Sequence, residues 1–172
     1  MVNENLKYLI IFVVLVVAQI SVFSNINLGG YINPYVYILF VMMLPLQIPG
    51  WLLLLCGFGT GLIIDLFSNS QGVHTSATLF MAFTRPGLIF LLHGRSELPT
   101  AIPMISNRGI QWMAAYVISL VLIHHFVLFF LEIFSLQEFF QTLARIMIST
   151  LSTSILILLG YSLLDRPVRS GR

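Results

Sequence analysis

Long apolar runs, separated by short turns that carry polar residues, glycine or proline, dominate this chain. Six stand out, at residues 6–23, 35–48, 50–67, 73–92, 109–131 and 138–164. A bilayer core of about 30 Å takes roughly 20 apolar residues per helix, and fewer than about 17 fall short unless neighbours support them. The second run is the weakest. It would cover only about 21 Å at 1.5 Å per residue, and Pro45 should kink it near its end.

That run has two readings. It is either a short, kinked span, or it forms a re-entrant hairpin with residues 50–67. Charge separates them, because Lys and Arg accumulate in cytoplasmic loops. Six spans with both termini inside put Lys7, Arg95, Arg108, Arg166, Arg169 and Arg172 in the cytoplasm. The outer loops, 24–34, 68–72 and 132–137, then hold no Lys or Arg. Removing the second span flips every later loop and strands Lys7 opposite the other basic positions. Six spans is the expectation.

The first run is read as a retained span rather than a secretory signal, since Lys7 is balanced by Glu4 and no small-x-small site follows Ala18. Short connections imply that successive helices are antiparallel neighbours. The longest, 93–108, carries Gly94, Pro99 and Pro103 and is the cytoplasmic loop large enough to touch a partner. Tyr31, Tyr35, Tyr37, Trp51 and Trp112 fall near span ends, where interfacial aromatics gather. The basic tail, 165–172, reads as a topology anchor near anionic headgroups.

Composition sharpens this picture. Of 172 residues, 58% are hydrophobic and 8% charged, with a mean hydropathy of +0.98, whereas a soluble domain carries about 25% charged residues. A water-soluble fold of this length could not cover so much apolar surface, so the bilayer is the expected solvent. The chain is expected to be an all-α membrane protein, a polytopic bundle of about six transmembrane helices forming a single integral membrane domain over residues 1–172. A formal charge of +2 with no basic stripe argues against nucleic acid. Cys56 is the lone cysteine and excludes an intrachain disulfide. Metal-ligand spacings are absent and no cofactor is implied.

The most informative stretch runs from Gly57 to Gly72. Gly57 and Gly61 stand four apart on one helical face, and Gly59 widens the smooth surface. Small residues let helix backbones approach closely in lipid, where packing replaces the hydrophobic effect. Asp65 follows four residues on, then a polar turn closed by Gly72. An intramembrane carboxylate is costly and seeks a partner. One reading has Asp65 capping the turn at 68–72 or sitting in headgroup water; the other pairs it with Arg145, with Glu138 and Gln141 as competitors for that arginine.

Arg85 lies just before Pro86, some seven residues from the cytoplasmic end of the fourth span. It is expected to snorkel to the interface in preference to binding a ligand. His124 and His125 are adjacent and point about 100° apart, which favours polar contacts in the bundle over a shared metal. Ser149, Thr150, Ser152, Thr153 and Ser154 have no adjacent histidine or lysine to activate them. They read as helix-to-helix hydrogen-bonding groups, and catalysis is unsupported.

On these residues the chain resembles the rod shape-determining protein MreD family. The likeness rests on Gln19 near the end of the first span, Asn33 and Pro34 opening the second, and the run GFGTGLIIDLF at 57–67 followed by Gly72. Length and span number agree over the whole chain, while the specific pattern covers about residues 33–90. The resemblance implies a non-enzymatic scaffold of the bacterial elongation complex in the cytoplasmic (inner) membrane. It implies binding to the membrane anchor of MreC and, indirectly, linkage of the MreB filament to a RodA-type glycosyltransferase and a class B penicillin-binding protein. It also implies an architecture similar to the substrate-binding subunits of energy-coupling-factor vitamin transporters, which are the alternative functional reading. Those subunits typically present Ala-x-x-x-Ala on the first span, where this chain has only Ala18. An intramembrane hydrolase, the third option, lacks its active-site residues.

Overall fold

The computed structural model describes residues 4–25, 33–93, 109–133 and 139–164. The loop at 93–108 beyond His93, the turn at 134–137, Tyr31, Glu138 and the basic tail lie outside the described residues. Those described form helices α1 (Glu4–Ser21), α2 (Leu39–Met43), α3 (Gly50–Ser68), α4 (Val73–His93), α5 (Ile110–Ile133) and α6 (Phe139–Leu164). Two 3-10 turns, Phe23–Asn25 and Val36–Ile38, follow α1 and lead into α2. Among the described residues there is no strand.

Four of these helices, α3 to α6, are long and apolar enough to cross a membrane; the apolar stretch of α1, Leu6–Ser21, is shorter. Their outward faces carry large apolar side chains: Leu55, Leu62 and Leu66 on α3, Phe83 and Phe90 on α4, Phe126 on α5, Leu151 and Leu159 on α6. Water does not tolerate an exposed apolar surface of this extent. The chain is therefore built to sit in a membrane.

The second apolar run departs from expectation. In place of one kinked helix over 35–48 there is a 3-10 turn and a five-residue helix, α2. Leu44, the residue before Pro45, leaves helical geometry at φ −60°, ψ 150°. Proline's ring clashes with a helical residue ahead of it and favours that extended conformation. Pro45 thus ends the helix rather than bending it. Every residue from Val36 to Leu44 is at most 8% exposed. A helix that is apolar all round belongs inside a bundle, and α2 is enclosed by protein rather than lipid.

Its path can be read from its neighbours. Tyr37 meets His74 near the start of α4, while Met42, Leu44 and Pro45 meet Arg85. Those two α4 residues are about 16 Å apart along the helix. The segment therefore descends most of the way through the bundle before Pro49 and Gly50 turn the chain into α3. Phe40 of α2 packs on Phe12 of α1, ring centroids 5.0 Å apart.

The α3–α4 hairpin is the tightest pairing. A Cβ on Gly57 would stand 2.8 Å from the Ala82 Cβ, and one on Gly61 would stand 2.5 Å from the Thr75 Cα. α4 runs helical straight through Pro86. α5 packs between α4 and α6, with Tyr116, Leu120, His124 and Phe129 turned inward.

Candidate functional site

Asp65 sits at the close of the α3–α4 hairpin and is spent there. One carboxylate oxygen accepts the Ser70 hydroxyl at 2.5 Å and the His74 N–H at 3.0 Å. The other accepts the Thr75 N–H at 2.8 Å and the Thr75 hydroxyl. The first N–H groups of a helix have no partner of their own, and a carboxylate there also meets the positive end of the helix dipole. Asp65 is thus the cap of α4, reaching across the turn from α3. Asn69 in the left-handed region (φ 53°) and Gly72 (φ 83°) shape that turn.

The pairing with Arg145 is not formed. Arg145 instead meets Glu132 at 3.4 Å and lies over the Phe129 ring, 4.5 Å from its centroid. Both contacts belong to α5, the helix next in sequence, which reaches Arg145 across a short connection. The alternative expectation, a cap for the turn, describes Asp65.

The five glycine and carboxylate positions therefore separate. Gly57 and Gly61 are consumed in packing α3 on α4, Asp65 in the cap and Gly72 in the turn. Gly59, alone of the three glycines on α3 at 57, 59 and 61, faces elsewhere: a Cβ there would meet nothing within 4 Å. It floors a hollow of about 320 Å³ between α1 and α3, walled by Tyr8, Phe12, Phe40 and Ile63. Further hollows extend it toward Pro45 and Leu52 at one end and toward Ile20 and Phe67 at the other. α1 contributes to these walls while burying only Val16 and Gln19 among its described side chains.

Arg85 does not snorkel. It is 1% exposed and points into the bundle. Its Nε donates to the Tyr116 hydroxyl at 2.7 Å, and its terminal nitrogens donate to the backbone carbonyls of Met42, Leu44 and Pro45. Tyr116 in turn donates to Met42 O at 3.0 Å. Met42 O and Leu44 O lie at the C-terminal end of α2, where carbonyls lack helical partners, and Pro45 O, just beyond it, also accepts the Ile48 N–H at 3.3 Å. Irregular backbone at membrane depth is stable only where protein or water satisfies it, and the five-donor guanidinium fork suits the task. The need of the carbonyls outweighs the pull of the headgroups.

The other end of the buried segment is held in the same way. Gln19 of α1 donates to Pro34 O at 3.2 Å and accepts from the Val36 N–H at 2.8 Å. The Tyr35 N–H donates to Thr153 Oγ1 of α6 at 3.2 Å. Thr153 also meets His125 Nε2 at 3.3 Å, while His125 Nδ1 lies 2.8 Å from Val121 O. A carbonyl only accepts, so the His125 Nδ1 that faces Val121 O acts as a donor there. His124 Nε2 meets the Tyr37 hydroxyl at 2.8 Å, and that hydroxyl also faces His74 Nδ1 at 3.1 Å. The adjacent histidines thus serve polar contacts, and no cluster of three metal-ligating residues occurs among the described residues.

Sequence reading missed the roles of Gln19, Tyr37, Tyr116 and His74 as supports of a broken span. The available signal was Pro45 beside an apolar run too short to cross. Such a run needs side-chain donors and acceptors from its neighbours.

Comparison with protein-family models, with curated proteins and with solved structures finds no match to this chain.

Proposed function

We propose that this protein is a non-enzymatic scaffold subunit of a bacterial cell-elongation (rod) complex, one that receives the membrane anchor of an MreC-type partner. The resemblance of residues 33–90 to the MreD family motivates the reading. The observation that carries it is the run of apolar hollows between α1 and α3, floored by Gly59. Lipid offers no hydrophobic drive for helix pairing, so close approach at small residues supplies much of the association energy. Gly57 and Gly61 are already used internally; of these three glycines, Gly59 is the one left open toward a neighbour. Through the anchor the complex would join the MreB filament to a RodA-type glycosyltransferase and a class B penicillin-binding protein.

The expected experiment is capture of a tagged MreC-type anchor from native membranes. Gly59→Leu should reduce capture about tenfold or more by filling the hollow, with folding unaffected, and depletion of the protein should turn rods into spheres. Undiminished capture by Gly59→Leu would remove the groove from the reading. Normal shape on depletion, together with tight vitamin binding, would favour the transporter alternative.

The topology within this proposal has six passes, the buried 35–48 segment counting as one, and both termini in the cytoplasm of the inner membrane. Single cysteines in a Cys56-free background should label Ser24 from outside and Gly94 from inside. Labelling of both from one side would overturn it.

A further inference from the structure

We propose that the groove between α1 and α3 is shaped for one partner transmembrane helix, uncharged along its docking face and bearing large apolar side chains seven residues apart. The inference rests on the partner-docking reading above and names the chemistry that the docked helix needs. Tyr8 and Leu52 flank the foot of the groove, and Ile20 and Phe67 its outer end, so α1 and α3 run the same way along it. From Leu52 to Phe67 is about 22 Å, against a hydrocarbon core of about 30 Å. An acyl chain reaches through its own leaflet alone, so a single one would leave the rest of the groove open. A helix fills the whole length.

Two hollows set the spacing. The one floored by Gly59 is walled on α1 by Tyr8, Leu9 and Phe12. The outer one, about 350 Å³, is walled there by a stretch from Phe12 to Ser21 with Val16 at its middle, and by Phe67 of α3. From Leu9 to Val16, and from Thr60 to Phe67, the step is seven residues, about 10.5 Å on either helix. A helix lying alongside returns to the same face at that interval, within about 20°. Bulky side chains at i and i+7 therefore enter both hollows together. At i and i+5 they point about 140° apart, and only one can enter.

Charge narrows the partner further. None of the residues lining the hollows along this groove is charged. A charged side chain on the incoming face would enter apolar protein at membrane depth with no counter-charge to offset its desolvation. The walls instead offer surface for packing. Leu9, Val13 and Val17 of α1 line the hollows and are each about half exposed, and Gly59 leaves bare backbone between them and α3. Packing against such a surface is what drives helix association in lipid.

The test uses the full chain in lipid nanodiscs and three synthetic transmembrane peptides, with binding read by energy transfer between dyes. Each peptide has an alanine docking face and leucine elsewhere. The first carries phenylalanine at i and i+7, the second at i and i+5, and the third adds a glutamate at i+4 to the first. The first should bind about tenfold or more tightly than either of the others. Gly59→Leu fills the lower hollow and Val17→Trp, at a half-exposed position, the outer one. Either should remove that preference without altering thermal stability. Capture of the MreC-type anchor that depends on Gly59, with no preference among the peptides, would keep the docking reading and overturn the spacing. A preference for the first peptide without capture would do the reverse. Equal binding of all three peptides, with phospholipid retained by the parent and lost from Gly59→Leu in native mass spectrometry, would assign the groove to acyl chains and overturn the proposal.

Discussion

Replacing Arg85 with methionine should lower the stability of the protein by about 3 kcal/mol. The side chain is comparable in length and apolar, so the loss is not one of volume. What goes is the donor set for Met42 O, Leu44 O and Pro45 O, together with the Nε bond to Tyr116. A buried acceptor left unsatisfied costs about 1–3 kcal/mol. Against this stands the gain from removing a buried cation, because apolar replacement of buried charges is often neutral or better. Here Met42 O keeps the Tyr116 hydroxyl and Pro45 O the Ile48 N–H, but Leu44 O stays behind in the bundle interior without its donor, and it decides the sign. Arg85→Lys should recover only part of the loss, since an ammonium cannot span three carbonyls and a hydroxyl with one rigid fork. Tyr116→Phe should cost less, about 1–2 kcal/mol. Thermal denaturation in micelles, followed by circular dichroism, measures the series. A methionine variant as stable as the parent would show that the carbonyls find other donors.

The second large effect is expected in the α3–α4 hairpin. Gly61→Ala places a methyl 2.5 Å from the Thr75 Cα and 2.7 Å from His74 O. Both are backbone atoms of α4, so no rotamer change relieves the contact and the helices must part. Overpacking of this kind costs about 1–3 kcal/mol, and separation also lengthens the bonds from His74 N and Thr75 N to Asp65. The consequence should therefore exceed the contact itself. Asp65→Ala alone should cost about 1–3 kcal/mol by exposing two backbone donors and two hydroxyls. The double variant should lose less than the two singles together, because each already loosens the same cap. Gly59→Ala is the control. Its new methyl meets nothing within 4 Å, and alanine is the better helix former by about 1 kcal/mol, so stability should hold or rise. Strict additivity of Gly61→Ala and Asp65→Ala would separate the packing from the cap.

Much of the fold is legible in the chain because the bilayer is a demanding solvent. The runs at 50–67, 73–92, 109–131 and 138–164 appear as α3 to α6 with ends displaced by a few residues at most. Length and apolarity suffice there, since an isolated helix satisfies its own backbone. The run at 35–48 broke that logic. A proline in an apolar segment predicts a defect, but whether it becomes a bend, a hairpin or an enclosed helix depends on which neighbours bring donors and acceptors. Gln19, Tyr116 and Arg85 bring them from α1, α5 and α4, up to 74 residues away in sequence.

The candidate positions divide in the same way. That glycines 57 and 61 allow close approach follows from their spacing; that the helix they admit is α4 of the same chain does not. The value of Asp65 as a cap was visible in its distance from a polar turn, whereas the separation of Arg145 from it was not, because depth alone does not say which helices are adjacent. Sequence by itself determined the solvent, the four long apolar helices and the presence of a break near Pro45, since each follows from local composition and backbone chemistry. Only tertiary structure decided that the broken span is enclosed, that Arg85 turns inward and that Gly59 stays open. Those outcomes depend on satisfying backbone groups and filling space between segments far apart along the chain.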